Sequence, residues 1–137
     1  MTLDDALHEL RSRNESVPKP MRLPSVAEVD DAERRLGVKF PPDFRRYLLD
    51  ASDVVCGIIE PVTITSPESH TDLFKVVDDA WETCGMPRDL LPICEDNGDF
   101  YCINRAGEIV FWSQDGGTSE KWPSLAHWIQ DVWIGED

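Results

Sequence analysis

The chain has 137 residues, 41% of them hydrophobic and five of them tryptophan, which suits one domain with a real core and excludes a disordered chain. Its formal charge of −14 sets up a field that repels nucleic acid and anionic membranes and speeds encounter with a basic partner. The charge is uneven: residues 1–50 hold nine Lys/Arg against ten Asp/Glu, and residues 51–137 hold four against seventeen. Charge alone leaves two uses open, solubility and partner steering.

From the N-terminus, Leu3, Ala6, Leu7 and Leu10 share one helical face, with Asp4 and Asp5 in the first turn where the helix dipole favours acids. The same segment, MTLDDALHEL, lacks the uninterrupted apolar run of a secretory leader. No stretch has the length of a membrane span. Residues 14–24 carry Pro18, Pro20 and Pro24 and read as a linker along the surface. The expected division is therefore residues 1–24, helix and linker, and residues 25–137, the main domain with that helix packed on it.

Ser25-Val26-Ala27-Glu28 is a capping box, in which Ser25 accepts from the third helical amide and Glu28 reaches back to the cap. Val26, Val29, Ala32 and Leu36 form the expected buried stripe, and Gly37 ends the helix in the left-handed conformation. Pro41-Pro42 starts another helix, with Asp43 in its first turn, Phe44, Tyr47 and Leu48 inward, and Arg45 and Arg46 facing water. Residues 54–59 and 61–65 read as strands, the second an edge because of Pro61. Leu73, Val76, Val77, Ala80 and Trp81 mark a helix over 72–83, closed by Gly85 and Pro87.

Residues 91–116, LPICEDNGDFYCINRAGEIVFWSQDG, organise the chain. Asn97-Gly98 tolerates the positive φ angles of a two-residue hairpin turn. Arg105-Ala106-Gly107 suits a three-residue loop with Gly107 in the left-handed position. Residues 100–104 and 108–112 are the strands between and after them, giving an antiparallel meander whose rim carries Glu95, Asp96, Asp99, Asp115 and Glu120. A polar loop, 116–119, precedes a last helix that Ser124 caps, with Leu125, Trp128, Ile129 and Val132 inward. Helices first, a sheet interrupted by one helix, then a closing helix: the fold class is α+β, a central antiparallel sheet packed by several helices.

Several of these segments together resemble a family. ERRLGVKFPPDF, residues 33–44, is similar to the "E…LG…LP.D" signature of the SUKH superfamily, the Smi/Knr-type domain. Leu91-Pro92-Ile93-Cys94, the turn Asn97-Gly98-Asp99, and Gly107-Glu108-Ile109-Val110 resemble its central block. Trp112, Asp115 and Ser124-Leu125 through Trp128-Ile129 match its tail. The resemblance spans about residues 23–133 and leaves the first helix outside. Where the family often has an acidic residue in the strand after the turn, this chain has Cys102-Ile103-Asn104. The resemblance implies a non-catalytic protein-binding domain, either a bacterial immunity protein that neutralises a cognate toxin (often a nuclease) or a regulatory adaptor, with a homodimer as a further form.

The residues support binding on their own terms. A nuclease site is basic because it holds phosphate, so an acidic, partly aromatic surface complements it. Candidate contacts are Glu95, Asp96, Asp99 and Asp115, with Trp112 and Trp122 as aromatic anchors. Turn chemistry also favours aspartate, and tryptophans also fill cores; Trp81, Trp128 and Trp133 are read as core. Catalysis, cofactors and metal are not expected. His8, His70 and His127 lack metal-ligand spacing, no motif places a nucleophile, and Gly116-Gly117 opens no phosphate-binding helix. His127, beside Trp128, is expected at the core edge. Cys56, Cys84, Cys94 and Cys102 form no CxxC pair and read as small core residues of a reduced, cytoplasmic protein.

Overall fold

The computed structural model describes residues 2–116 and 120–135. Helix α1 (Leu3–Ser12) starts at a capping box, Thr2 with Asp5, and buries Ala6, Leu7 and Leu10. The linker that follows is tied down by reciprocal bonds: Glu15 N donates to Val55 O at 2.8 Å, and Val55 N donates to Asn14 Oδ1 at 2.9 Å. Helix α2 (Val26–Leu36) has the expected box, with Glu28 N on Ser25 Oγ at 3.2 Å, and ends at Gly37 with φ 71°. Helix α3 (Pro42–Ala51) begins at the double proline and buries Phe44, Tyr47, Leu48 and Ala51.

Helix α4 (Leu73–Asp78) is capped by Asp72 and continues as a wide π-type turn over Asp79–Thr83. Helix α5 (Leu125–Trp128) is capped by Ser124 and likewise continues as a π-type segment over Ile129–Ile134. Each wide segment carries a tryptophan whose indole N–H leaves the helix for a distant carbonyl. Trp81 donates to Leu90 O at 2.9 Å, and Trp133 donates to Cys56 O at 3.1 Å. Paired this way, a buried indole costs little to desolvate.

The sheet is a four-stranded antiparallel meander in the order β1 (Leu91–Asp96), β2 (Asp99–Ile103), β3 (Ile109–Trp112), β4 (Lys121–Trp122). Pro92, with no N–H to give, sits on the edge strand beside a bulge that puts Ile93 out of register, and Pro92, Ile93 and Cys94 are all buried. Opposite faces of β2 meet different layers. Cys102 Sγ lies 3.7 Å from Met86 Sδ, and helix α4 packs by β1. On the other face Tyr101 lies 5.3 Å from Trp128, measured between ring centroids. An aromatic series then runs from Trp128 to Trp133, Tyr47, Phe44 and Phe40 at spacings of 5.1–6.2 Å. That series joins the sheet to the α2–α3 link, and the core is continuous along it.

Several sequence expectations differ from this arrangement. Residues 54–59 and 61–65 form no strands. Gly57, at φ 63°, turns the chain so that Cys56 bridges only Ile59, and Ile58 is 75% exposed. The next segment makes one backbone–backbone bond to the sheet, Val62 N to Ile93 O at 2.9 Å, and the Val62 carbonyl is taken by the Tyr47 hydroxyl at 2.7 Å. A single ladder bond beside a side-chain bond does not propagate a strand. Strand β4, two residues long, carried no period-2 signal. Val26 is 55% exposed because it occupies the first helical turn, outside the stripe that α3 covers. Arg45 does not face open water: its guanidinium is half-buried between Asp30 at 3.0 Å and Glu33 at 2.8 Å. Glu33 also accepts from Phe40 N at 2.6 Å, so the Arg45 cluster braces the α2–α3 link. The polar loop expected over 116–119 is described only at Gly116; residues 117–119 lie outside the described residues.

Candidate binding surface

Two turns build one end of the sheet. In the β1–β2 turn Asn97 takes φ 54° and Gly98 φ 90°, as the two-residue hairpin requires. Glu95 Oε2 accepts from Gly98 N at 2.7 Å and closes the turn, and Asn97 Nδ2 lies 3.4 Å from Asp96 Oδ1. The loop after β3 is held against this turn by Gln114, whose Nε2 donates to Gly98 O at 3.2 Å. Asp115 follows on the same loop, its amide donating to Ser113 Oγ at 3.2 Å. Phe111 N donates to Glu120 O at 3.2 Å, which brings the returning chain back to the same end.

The result gathers Glu95, Asp96, Asp99, Asp115 and Glu120 around one end of the meander. None of the five has an ion-pair partner within 4 Å among the described residues. This contrasts with residues 1–50, where Arg11, Arg22, Arg45 and Arg46 are each paired with carboxylates. A shallow cleft of ≈ 200 Å³ on the β1 side extends the acidic area to Glu60, which pairs with His70. Glu60 is ten residues from His70 in sequence, and the fold brings the two together. The role of Gln114 in joining the two loops also had no sequence signal.

The two candidate aromatic anchors separate. Trp112 is Phe100's cross-strand partner, half-buried, with ring centroids 6.3 Å apart, at the acidic end. Trp122 pairs with Ile109, at the other end of β3, and its ring meets Tyr101 at 5.7 Å. Strand alternation puts Phe100 and Trp112 on one face and Tyr101 and Trp122 on the other. Only Trp112 adjoins the carboxylates.

The exposed His127, which was expected at the core edge, has its Nδ1 2.7 Å from Ser124 Oγ. That same hydroxyl accepts from His127 N at 3.3 Å, so the pair is a helix cap, and no carboxylate orients the ring among the described residues. Burial pushes the Cys94 thiol up to about 12, and burial likewise raises Cys102 and Cys84, the opposite of what a thiolate nucleophile needs. Among the described residues no three His, Cys, Asp or Glu side chains are placed to hold a metal ion. No helix among them is long and apolar enough to cross a membrane.

Comparison with known proteins places this geometry. The chain is similar to a crystallised protein from Pseudomonas syringae pv. tomato, with 42% sequence identity over 96% of this chain and 98% of that one, at a TM-score of 0.91. No curated protein matches it. Residues 3–134 match the family described as SMI1-KNR4 cell-wall, SUKH_5. That span takes in α1, which the motifs alone left outside the resemblance, and α1 packs on α3 and α5. With nearly the whole sequence matched and the α+β meander in place, the chain belongs to the SMI1-KNR4 cell-wall family, SUKH_5.

Proposed function

We propose that this chain is a non-catalytic, cytoplasmic immunity protein that neutralises a cognate toxin by direct binding. The observation that carries the reading is the gathering of five carboxylates, unpaired among the described residues, around Trp112 at one end of the sheet. Unpaired surface charge of one sign raises the on-rate of an oppositely charged partner, and a half-buried indole beside it supplies contact area. Membership of a family whose members commonly serve as immunity proteins supports the same reading. The partner is a basic protein, a nuclease being the natural case, and no nucleic acid or membrane takes part. Of the six residues singled out by sequence, Glu95, Asp96, Asp99, Trp112 and Asp115 form the contact surface in this reading. Trp122 belongs to it only if the partner wraps past β4.

The experiment is co-expression with any toxin domain that the adjoining upstream gene encodes, scoring survival and co-purification. Rescue with a 1:1 complex that weakens as salt rises, and is lost in D96K/D99K/D115K, is the expected result. A chain that neither rescues nor binds a basic neighbour, and forms a salt-insensitive homodimer, is instead a regulatory adaptor of the Smi/Knr kind.

A further inference from the structure

We propose that a groove at the opposite end of the sheet docks an acidic, apolar segment of a polypeptide. The groove has a volume of ≈ 520 Å³ and opens between the α2–α3 link, the end of α4 and the β2–β3 loop. Val38, Pro41, Trp81, Leu91 and Ile103 supply an apolar wall. Lys39, Arg88 and Arg105 stand exposed around it. Residues 51–137 contain only four Lys/Arg side chains, and two of those four, Arg88 and Arg105, are here. Lys39 and Arg105 have no ion-pair partner among the described residues. Arg88 pairs with Glu82 and lies 5.0 Å above the Trp81 ring, held at the groove edge. Asp89 is the one carboxylate among the described residues on the wall.

The location follows from the register. Leu91 pairs with Ile103 at one end of the β1–β2 hairpin, and Asp96 pairs with Asp99 at the other. Six strand residues separate groove from rim by about 17 Å. Helix α3 points its N-terminus at the groove through Pro41 and Pro42, and Pro41 gives it no side-chain cap.

Charge and shape select the occupant. A polyanion such as RNA meets the field of a −14 chain beyond the groove and is repelled. A free small anion satisfies the cations and leaves the apolar wall uncovered. A polypeptide segment alternating carboxylates with apolar side chains satisfies both, and its charge is short enough to feel the local cations rather than the distant rim. This second surface does not depend on what the rim binds.

The test is fluorescence anisotropy with a fluorescein-labelled five-residue peptide in which leucine alternates with glutamate or aspartate. Saturable binding is expected, weakened about tenfold or more in K39E/R105E, whose exposed positions leave folding intact by circular dichroism. The rim variant D96K/D99K/D115K should bind at least as well as the parent, so failure of this site and failure of the rim reading are separable. In the parent protein the Trp81 indole N–H resonance should move on titration. No saturable binding, equal affinity in K39E/R105E, or equal affinity for a lysine-substituted peptide overturns the proposal. Displacement by an equal concentration of free glutamate, or tighter binding of a twelve-nucleotide RNA, reassigns the groove and overturns it as well.

Discussion

Glu28 does two jobs with one carboxylate. It accepts from Arg22 at 2.7 and 2.8 Å and from Ser25 N at 2.9 Å. These bonds, the Arg22 pair foremost, hold its pKa down to about 2. A folded-state pKa below the unfolded value means the charged form stabilises the fold. That stabilisation is complete above the ordinary glutamate range and fades as pH falls toward about 2. Glu28→Gln keeps the capping bond and removes the charge. The variant should be less stable than the parent at pH 7, by a small margin given the exposed pair, and equal to it near pH 2 in urea melts. Tyr47 is the buried counterpart. Its hydroxyl, pushed well above its usual pKa chiefly by burial, donates to Val62 O and pins the 58–62 segment beside β1. Tyr47→Phe leaves that carbonyl without its donor and should cost about 1–2 kcal/mol by urea denaturation. The Ser25–Glu28 box was legible from residue types alone. The Tyr47–Val62 bond joins positions 15 apart and was not.

Among the elements, those whose signals are local came out as read. The Asn97-Gly98 turn, the Gly107 loop and the Gly37 stop each need a positive φ within a few residues, and all adopt it. Gly37 shows what such a stop is worth. A Cβ there meets nothing within 4 Å, so the cost of a side chain is purely the left-handed backbone. Gly37→Ala should therefore destabilise by about 1 kcal/mol in thermal or urea melts with no change in the packing of Val29 or Ala32. Where signals are non-local the reading failed. The apolar run of residues 54–65 has strand composition, yet β1 offers it one bond and Tyr47 and Trp133 take its carbonyls at Val62 and Cys56. Arg45 looked like a solvent residue by period, and α2 supplied the two carboxylates that draw it in.

The whole molecule is polar in the electrical sense, with unpaired carboxylates at one end of the meander and three cations at the other. Crowded like charges oppose compaction, so D96K/D99K/D115K should raise the melting temperature by about 3–5 °C in low salt. Repeating the melt at high salt should abolish the gain, because screening removes the repulsion it relieves. An unchanged melting temperature at both ionic strengths would mean the rim carboxylates are too far apart to interact. Residue types and their spacing carried the α+β class, the meander with its two turns, the Ser25 and Ser124 caps and the acidic bias of the second half. Each of these is written in short-range periodicity, turn chemistry or composition. Packing of distant segments set Trp112 at the rim and Trp122 on the other face at the other end. It alone placed His70 on Glu60, and it alone assembled Lys39, Arg88 and Arg105 from three distant segments. Those outcomes depend on strand register and on how separate segments pack, and neither is encoded within a window of neighbouring residues.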